Sequence, residues 1–150
     1  MGIGLRGRKA IIAGAIVLAL SGQALAVEIN LEAIKQIESH GVADAVNARS
    51  GAVGMYQITP IALRDFNRCT KKSYTSDDLF MFWINREIAS WLFEKRIPQI
   101  LKSKKQAVTE RNLLISFNAG HAYVGKRKLP KETLDYIKRY RKFINKKSGG

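Results

Sequence analysis

The chain has 150 residues, and its 26 lysine and arginine residues against 12 acidic residues give a formal net charge of +14. A single cysteine excludes an intramolecular disulfide, and with two histidines it is too little for a His/Cys metal cluster, so we expect neither a metal nor another cofactor. The positive charge alone would suit a nucleic-acid-binding protein. The sequence has no helix-turn-helix and no aromatic-basic module, however, so we expect no nucleic-acid partner.

Residues 1–26 have the three parts of a secretory signal peptide. Three basic residues near the start precede an apolar run at 10–20, and the small-x-small sequence Ala-Leu-Ala follows at 24–26. The apolar run is too short to span a bilayer comfortably. We predict cleavage after this site, a single domain at 27–150 in the periplasm or cell envelope, and no membrane span after cleavage. An uncleaved signal anchor is the alternative.

The first helix after the signal is predicted to end beside a carboxylic acid. Ala33, Ile34 and Ile37 recur at helical spacing, and Gly41 is a residue that ends helices. Glu38 therefore lies in the last turn, where the negative end of the helix dipole should raise its pKa. A carboxylic acid that is protonated near neutral pH can serve as a general acid. The alternative is an ordinary glutamate on a solvated surface.

The following loop is predicted to bring its backbone close to the rest of the fold. Gly51 and Gly54 permit a close approach, although they would also suit an ordinary turn. Tyr56 and Gln57 follow, and an aromatic ring beside an amide suits a sugar, which has an apolar ring face and a rim of hydroxyl groups. A short β-hairpin at about 50–58 fits the same sequence.

The rest of the chain predicts helices and a mainly α fold, because alternating β-branched runs are absent. Four side chains are predicted N-caps, namely Asn30, Thr59, Ser76 and Thr109, and Pro130 is expected to start the last helix. The helix after residue 76 should kink or end at Pro98. It should bury one stripe, consisting of Phe80, Trp83, Ile84, Ile88, Trp91 and Leu92. Cys69 is expected to be a small buried residue.

Four motifs resemble those of the soluble lytic transglycosylases, which are lysozyme-like enzymes that cut peptidoglycan glycan strands. They are Glu38-Ser39, the Gly-Ala-Val-Gly-Met-Tyr-Gln-Ile-Thr-Pro run at 51–60, Phe-Asn-Ala-Gly at 117–120, and the segment 129–137. The resemblance covers about 29–144, with the motifs in the family's order. The chain departs from the family pattern at three places. It has Val42-Ala43 where the family commonly has Asn-Pro, Tyr56 where the family usually has Met, and Phe117 where the family has Tyr.

The resemblance implies a mainly α, lysozyme-like domain in which one carboxylate is sufficient. Glu38 would protonate the glycosidic oxygen between MurNAc and GlcNAc, and the substrate's N-acetyl group would stabilise the cation. Glu38 would then accept the proton of the MurNAc 6-hydroxyl, so that a 1,6-anhydro ring closes without water. The substrate site implied by the family consists of Ser39 and Asn47, which would position Glu38, and of Tyr56, Gln57, Asn118 and Tyr136.

Two other functions fit the same residues. A hydrolytic lysozyme would use Glu38 to deliver water, and a catalytically weak envelope protein would only bind glycan. Asn118 would also suit a plain helix end, and Tyr136 a plain core position. The expected partner is the peptidoglycan glycan strand. By analogy with small exported enzymes, a secretion, conjugation or pilus apparatus is a further candidate partner.

Overall fold

The computed structural model describes residues 27–148, so the predicted signal peptide lies outside the described part of the chain. Within these residues the fold is mainly α, as predicted, with one short antiparallel hairpin. The helices are α1 (Leu31–Ser39), α2 (Pro60–Thr70), α3 (Phe82–Trp91), α4 (Ile97–Ser103), α5 (Glu110–Ala119) and α6 (Lys131–Ser148), and the strands are β1 (Val46–Asn47) and β2 (Ala52–Val53).

None of the described helices is both long and apolar enough to cross a membrane.

Three of the four predicted N-caps are confirmed. The side chains of Asn30, Thr59 and Thr109 each accept a hydrogen bond from the backbone N–H three residues further on, which satisfies a donor that the helix leaves unpaired. The Ser76 side chain makes no such bond, because a 3₁₀ turn at Asp77–Phe80 follows it instead of an α-helix. The last helix begins directly after Pro130, as predicted.

The segment predicted as one helix that kinks or ends at Pro98 is divided differently. After the 3₁₀ turn, α3 runs into a π-helical segment, Leu92–Arg96, and this continues into α4. Pro98 lies in the first turn of α4, so it does not end the helix. A proline is tolerated there because the wider π turn before it changes which carbonyls need an N–H partner.

The predicted apolar stripe is only partly core. Ile84 and Ile88 are buried, and Trp91 and Leu92 are partly buried. Phe80 and Trp83 are exposed, with 42% and 66% of their surface accessible. The reason is that the helix is interrupted between the 3₁₀ turn and α3, and Leu79 takes the inward position. Cys69 was also predicted to be buried, and it is exposed on α2.

The hairpin packs against the helical core and contributes to the lining of the site described below. Val46 pairs with Val53 and Asn47 with Ala52, and Val53 bridges back to Ile58. The short β-hairpin expected near 50–58 is therefore present, with its first strand slightly earlier in the chain. Behind it, α1 and α5 both pack against α6.

Asn85 of α3 holds this hairpin against the core. Its side-chain nitrogen donates to the carbonyls of Val53 and Leu79, both at 2.9 Å, and its oxygen accepts from the backbone N–H of Tyr56 at 2.8 Å. Gly54 has a φ of +81°, and a Cβ there would lie 2.3 Å from the Asn85 nitrogen. The close approach predicted for Gly54 is thus confirmed, and the group it approaches is a buried amide.

Candidate active site

Glu38 lies at the end of α1 and lines a cleft of about 800 Å³. The helix ends because His40 and Gly41 both adopt positive φ, which places Glu38 in the last turn as predicted. The rest of the lining comes from the hairpin, α2, the π-helical segment, α4 and the end of α5. Other residues lining the cleft include Asn47, Gln57, Ile61, Arg64, Arg96, Phe117 and Asn118.

The Glu38 carboxyl is held in an environment that favours its neutral form. Burial raises its pKa to about 7, while the Tyr136 hydroxyl and the positive charge of Arg139 act in the opposite direction. The predicted direction of the shift is confirmed, but the main cause is burial, which the sequence did not indicate. A carboxyl with this pKa holds its proton in a large fraction of molecules near neutral pH, as a general acid requires.

Tyr136 approaches Glu38 from α6, and its side chain is only 1% exposed. Its hydroxyl makes no hydrogen bond of ordinary geometry among the described residues, although it is close enough to affect the Glu38 carboxyl. Burial, and secondly the charge of Glu38, raise the pKa of Tyr136 well above its usual value. The hydroxyl therefore remains protonated and can donate to Glu38 when that residue is ionised.

Ser39 and Asn47 have different surroundings. The Ser39 hydroxyl donates to the carbonyl of Met55 at 2.9 Å and so ties the end of α1 to the turn after the hairpin. It is buried and outside the residues lining the cleft. Asn47 does line the cleft, and its side-chain oxygen accepts from the backbone N–H groups of Arg49 and Ser50.

Gln57 and Asn118 are both brought to the cleft. The Gln57 side-chain nitrogen donates to the carbonyls of Ala45 at 3.2 Å and Gly54 at 3.0 Å, so both of its protons are used. Its carbonyl oxygen is left as an acceptor. Asn118 is exposed at the end of α5, and its side chain has no hydrogen-bond partner in the part of the chain that the structure describes.

The structure does not bring Tyr56 to the cleft. Its side chain is 2% exposed and lines a second cavity, of about 620 Å³, together with Arg86 and residues near the start of α1. The physical reason is the backbone bond from Tyr56 to Asn85, which directs this residue inward while Gln57, at a φ of +49°, turns toward the cleft. Adjacent residues thus face different cavities, and a sugar in the cleft does not reach the Tyr56 ring.

A polar cluster that lines the cleft was not predicted. Asp65 of α2 accepts hydrogen bonds from Arg96, through both carboxylate oxygens, and from Arg68. Burial alone would raise the Asp65 pKa, but the two guanidinium groups outweigh it and the pKa is lowered. Only the spacing of Asp65 and Arg68 was visible in the sequence, since Arg96 lies 31 residues away from Asp65.

Among residues 27–148, no group of three or more His, Cys, Asp or Glu side chains could hold a metal ion.

Comparison with models of protein families matches residues 23–139 to the transglycosylase SLT domain. The chain belongs to this family. The match spans more than three quarters of the sequence and includes all the cleft residues named above. Searches of curated proteins and of solved structures found no match for the chain. Membership indicates an enzyme of the lytic transglycosylase type whose substrate is peptidoglycan, the polymer of the bacterial cell envelope.

Proposed function

We propose that this SLT-domain protein cleaves the β-1,4 bond between MurNAc and GlcNAc without water and leaves 1,6-anhydroMurNAc ends. The observation that carries the proposal is the partly buried Glu38 carboxyl, which lines a cleft of about 800 Å³ and has its pKa raised to about 7. We also propose that residues 1–26 direct export, so that the enzyme acts in the periplasm or cell envelope.

In the first step, the protonated Glu38 carboxyl gives its proton to the glycosidic oxygen, and the bond to the MurNAc anomeric carbon breaks. The carbonyl oxygen of the substrate's N-acetyl group supports the positive charge on that carbon. In the second step, the oxygen of the MurNAc 6-hydroxyl attacks the anomeric carbon, and the Glu38 carboxylate accepts the proton of that hydroxyl. The proton returns to Glu38, and the atoms balance without water.

The surroundings of Glu38 favour one acting carboxylate over two. Most glycosidases use a second carboxylate as nucleophile or base. Of the described acidic residues, Glu38 and Asp65 line the cleft, and the Asp65 oxygens are already occupied by Arg96 and Arg68. Asp44 is outside the cleft lining. This distribution supports a mechanism with one acting carboxylate, and product analysis distinguishes attack by the 6-hydroxyl from attack by water.

Five side chains have proposed supporting roles. Tyr136 donates to the Glu38 carboxylate formed after the first step, and Ser39 holds the backbone at the end of α1. The free carbonyl oxygen of Gln57 accepts from a sugar N–H or hydroxyl group. Asn118 and the side-chain nitrogen of Asn47 supply further donors in the cleft.

The test is the chemistry of the products. Purified sacculi digested with the protein should release muropeptides lighter by one water than those made by a lysozyme, and borohydride should not reduce them. Mass spectrometry before and after borohydride treatment distinguishes the two. If reducible muropeptides are the main product, the protein is a lysozyme; if no soluble muropeptides form while sacculi still bind the protein, it is a glycan-binding protein.

A further inference from the structure

The cleft carries more positive charge than the cleavage of a neutral glycosidic bond needs. Three arginines and Asp65 lie on the wall formed by α2 and the π-helical segment, so this wall has a formal surplus of two positive charges. The reaction proposed above uses none of these side chains. They therefore need an explanation of their own.

The arginines of this wall are not equivalent. Arg96 donates from Nε and Nη2 to Asp65 and from Nη1 to Gln99, and only 22% of its side chain is exposed, so it is mainly a structural partner. Arg68 gives one of its five N–H groups to Asp65, and 72% of its side chain is exposed. Its free donors face solvent.

Arg64 supplies a second set of free donors. It is exposed and lines the cleft, and its side chain has neither an ion pair nor a hydrogen bond among the residues that the structure describes. It lies four residues before Arg68 on α2, so the two guanidinium groups share one face of the helix. Asp65 fixes the orientation of Arg68 but does not neutralise the pair.

Planar guanidinium groups with free N–H donors match the geometry of carboxylates. Peptidoglycan offers carboxylates close to its sugars, because each MurNAc carries a lactyl group that bears either a peptide with free carboxylates or, once the peptide is removed, a carboxylate of its own. We propose that Arg64 and Arg68 bind a carboxylate of the glycan strand and so select charged peptidoglycan over neutral glycans. This inference rests on the function proposed above.

The test measures binding in the Glu38→Gln protein, so that no substrate is consumed. Three glycans are compared: peptide-bearing glycan strands, strands stripped of peptide by an amidase, and a neutral chito-oligosaccharide. Adding Arg64→Gln and Arg68→Gln should weaken binding of at least one of the two charged glycans about tenfold, as expected for the loss of charge-assisted hydrogen bonds at an exposed site. Binding of the chito-oligosaccharide should be unchanged.

The control replaces two arginines that are also exposed but lie outside the cleft lining, through Arg111→Gln and Arg127→Gln. This variant has the same net charge as the variant with Arg64→Gln and Arg68→Gln, and it should bind all three glycans as the Glu38→Gln parent does. Weakening confined to the peptide-bearing strands would identify a peptide carboxylate, and weakening on stripped strands would identify the lactyl carboxylate. The proposal is overturned if the charged glycans bind unchanged, if the chito-oligosaccharide weakens equally, or if the control behaves like the cleft variant.

These outcomes are separate from failure of the proposed function. If the Glu38→Gln protein binds none of the three glycans, the assignment of the cleft as a glycan site is itself wrong. Circular dichroism of each variant checks folding, and both substituted pairs are exposed on helices or loops where glutamine is readily accommodated.

Discussion

Two carboxyl groups line the same cleft, and their environments shift their pKa values in opposite directions. Burial of the Glu38 carboxyl raises its pKa to about 7, although Tyr136 and Arg139 act in the opposite direction. Asp65 also experiences burial, but Arg96 and Arg68 bind it directly and its pKa falls. The difference comes from both burial and partners, because the Glu38 carboxyl is much more deeply buried and forms no ion pair among the described residues.

This contrast separates a group that can exchange a proton from one that cannot. A carboxyl whose pKa lies near the working pH can donate and accept within one cycle, whereas a carboxylate fixed by two guanidinium groups stays ionised. Asp65 therefore acts as a structural anion that orients arginines. The predictions below test whether the two acids differ as their surroundings indicate.

The largest effect is expected from Glu38→Gln. Glutamine keeps the shape of the side chain but has no proton to give, so activity on sacculi should fall by about 10²–10⁴-fold or more, since both steps use this group. Muropeptide release measured by chromatography checks the loss, and circular dichroism checks the fold. Asp44→Asn is the control and should reduce activity only modestly. Full activity of a folded Glu38→Gln protein would remove Glu38 from the mechanism.

A second prediction concerns stability against pH. The folded-state pKa of Glu38 is raised above its unfolded value. The contribution of protonated Glu38 to the free energy of unfolding is therefore fully present below about pH 4.5 and is lost as pH rises through about 7. The shift corresponds to a destabilisation on the order of 3 kcal/mol in the ionised protein. Glu38→Gln cannot ionise, so its melting temperature should exceed that of the parent at pH 8.5 and match it near pH 4. If the difference in melting temperature between the two proteins is the same at every pH, the raised pKa of Glu38 is contradicted.

The sequence predicted the parts of this site that depend on local patterns. The end of α1, the N-caps at Asn30, Thr59 and Thr109, and the need for glycine at position 54 follow from rules that operate over a few residues. The position of Glu38 in the last turn of α1 was predicted in the same way, from the helical spacing before it and the glycine after it.

The parts that failed depend on contacts between distant segments. Whether Tyr56 faces the cleft or the core is decided by Asn85, which lies 29 residues away, and the link between Asp65 and Arg96 spans 31 residues. The exposure of Trp83 follows from a break in the helix that no proline or glycine marks. A periodic pattern cannot show such a change of helical phase.

A third prediction concerns Tyr136→Phe. The hydroxyl lowers the pKa of Glu38, so its removal should move the alkaline limb of kcat/KM against pH to higher pH. Loss of a donor to an ionised carboxylate should also reduce kcat about tenfold. The control is Tyr140→Phe, because the Tyr140 hydroxyl accepts from the backbone N–H of Asn30 at 2.9 Å and has no role at Glu38. An unshifted limb in the Tyr136→Phe protein would show that its hydroxyl does not act on Glu38.

The smallest effect is expected from Asp65→Asn, and its sign should be opposite to that of Glu38→Gln. Because the folded-state pKa of Asp65 is lowered, its contribution to stability is present above the unfolded value of about 3.8 and is lost as pH falls through the folded value. Asparagine cannot pair with Arg96 and Arg68 as an anion, so the variant should be about 1 kcal/mol less stable than the parent at pH 7. The difference should disappear in strong acid, where the parent's carboxyl is also protonated.

Asp135→Asn is the matched control: Asp135 is more exposed and pairs with Lys138 at 3.8 Å, so its replacement should cost less than about 0.5 kcal/mol. Thermal melts of the three proteins at pH 7 and pH 2.5 give these differences. If Asp65→Asn is as stable as the parent at pH 7, then the two arginines do not hold this carboxylate in solution, and the contrast with Glu38 has another cause.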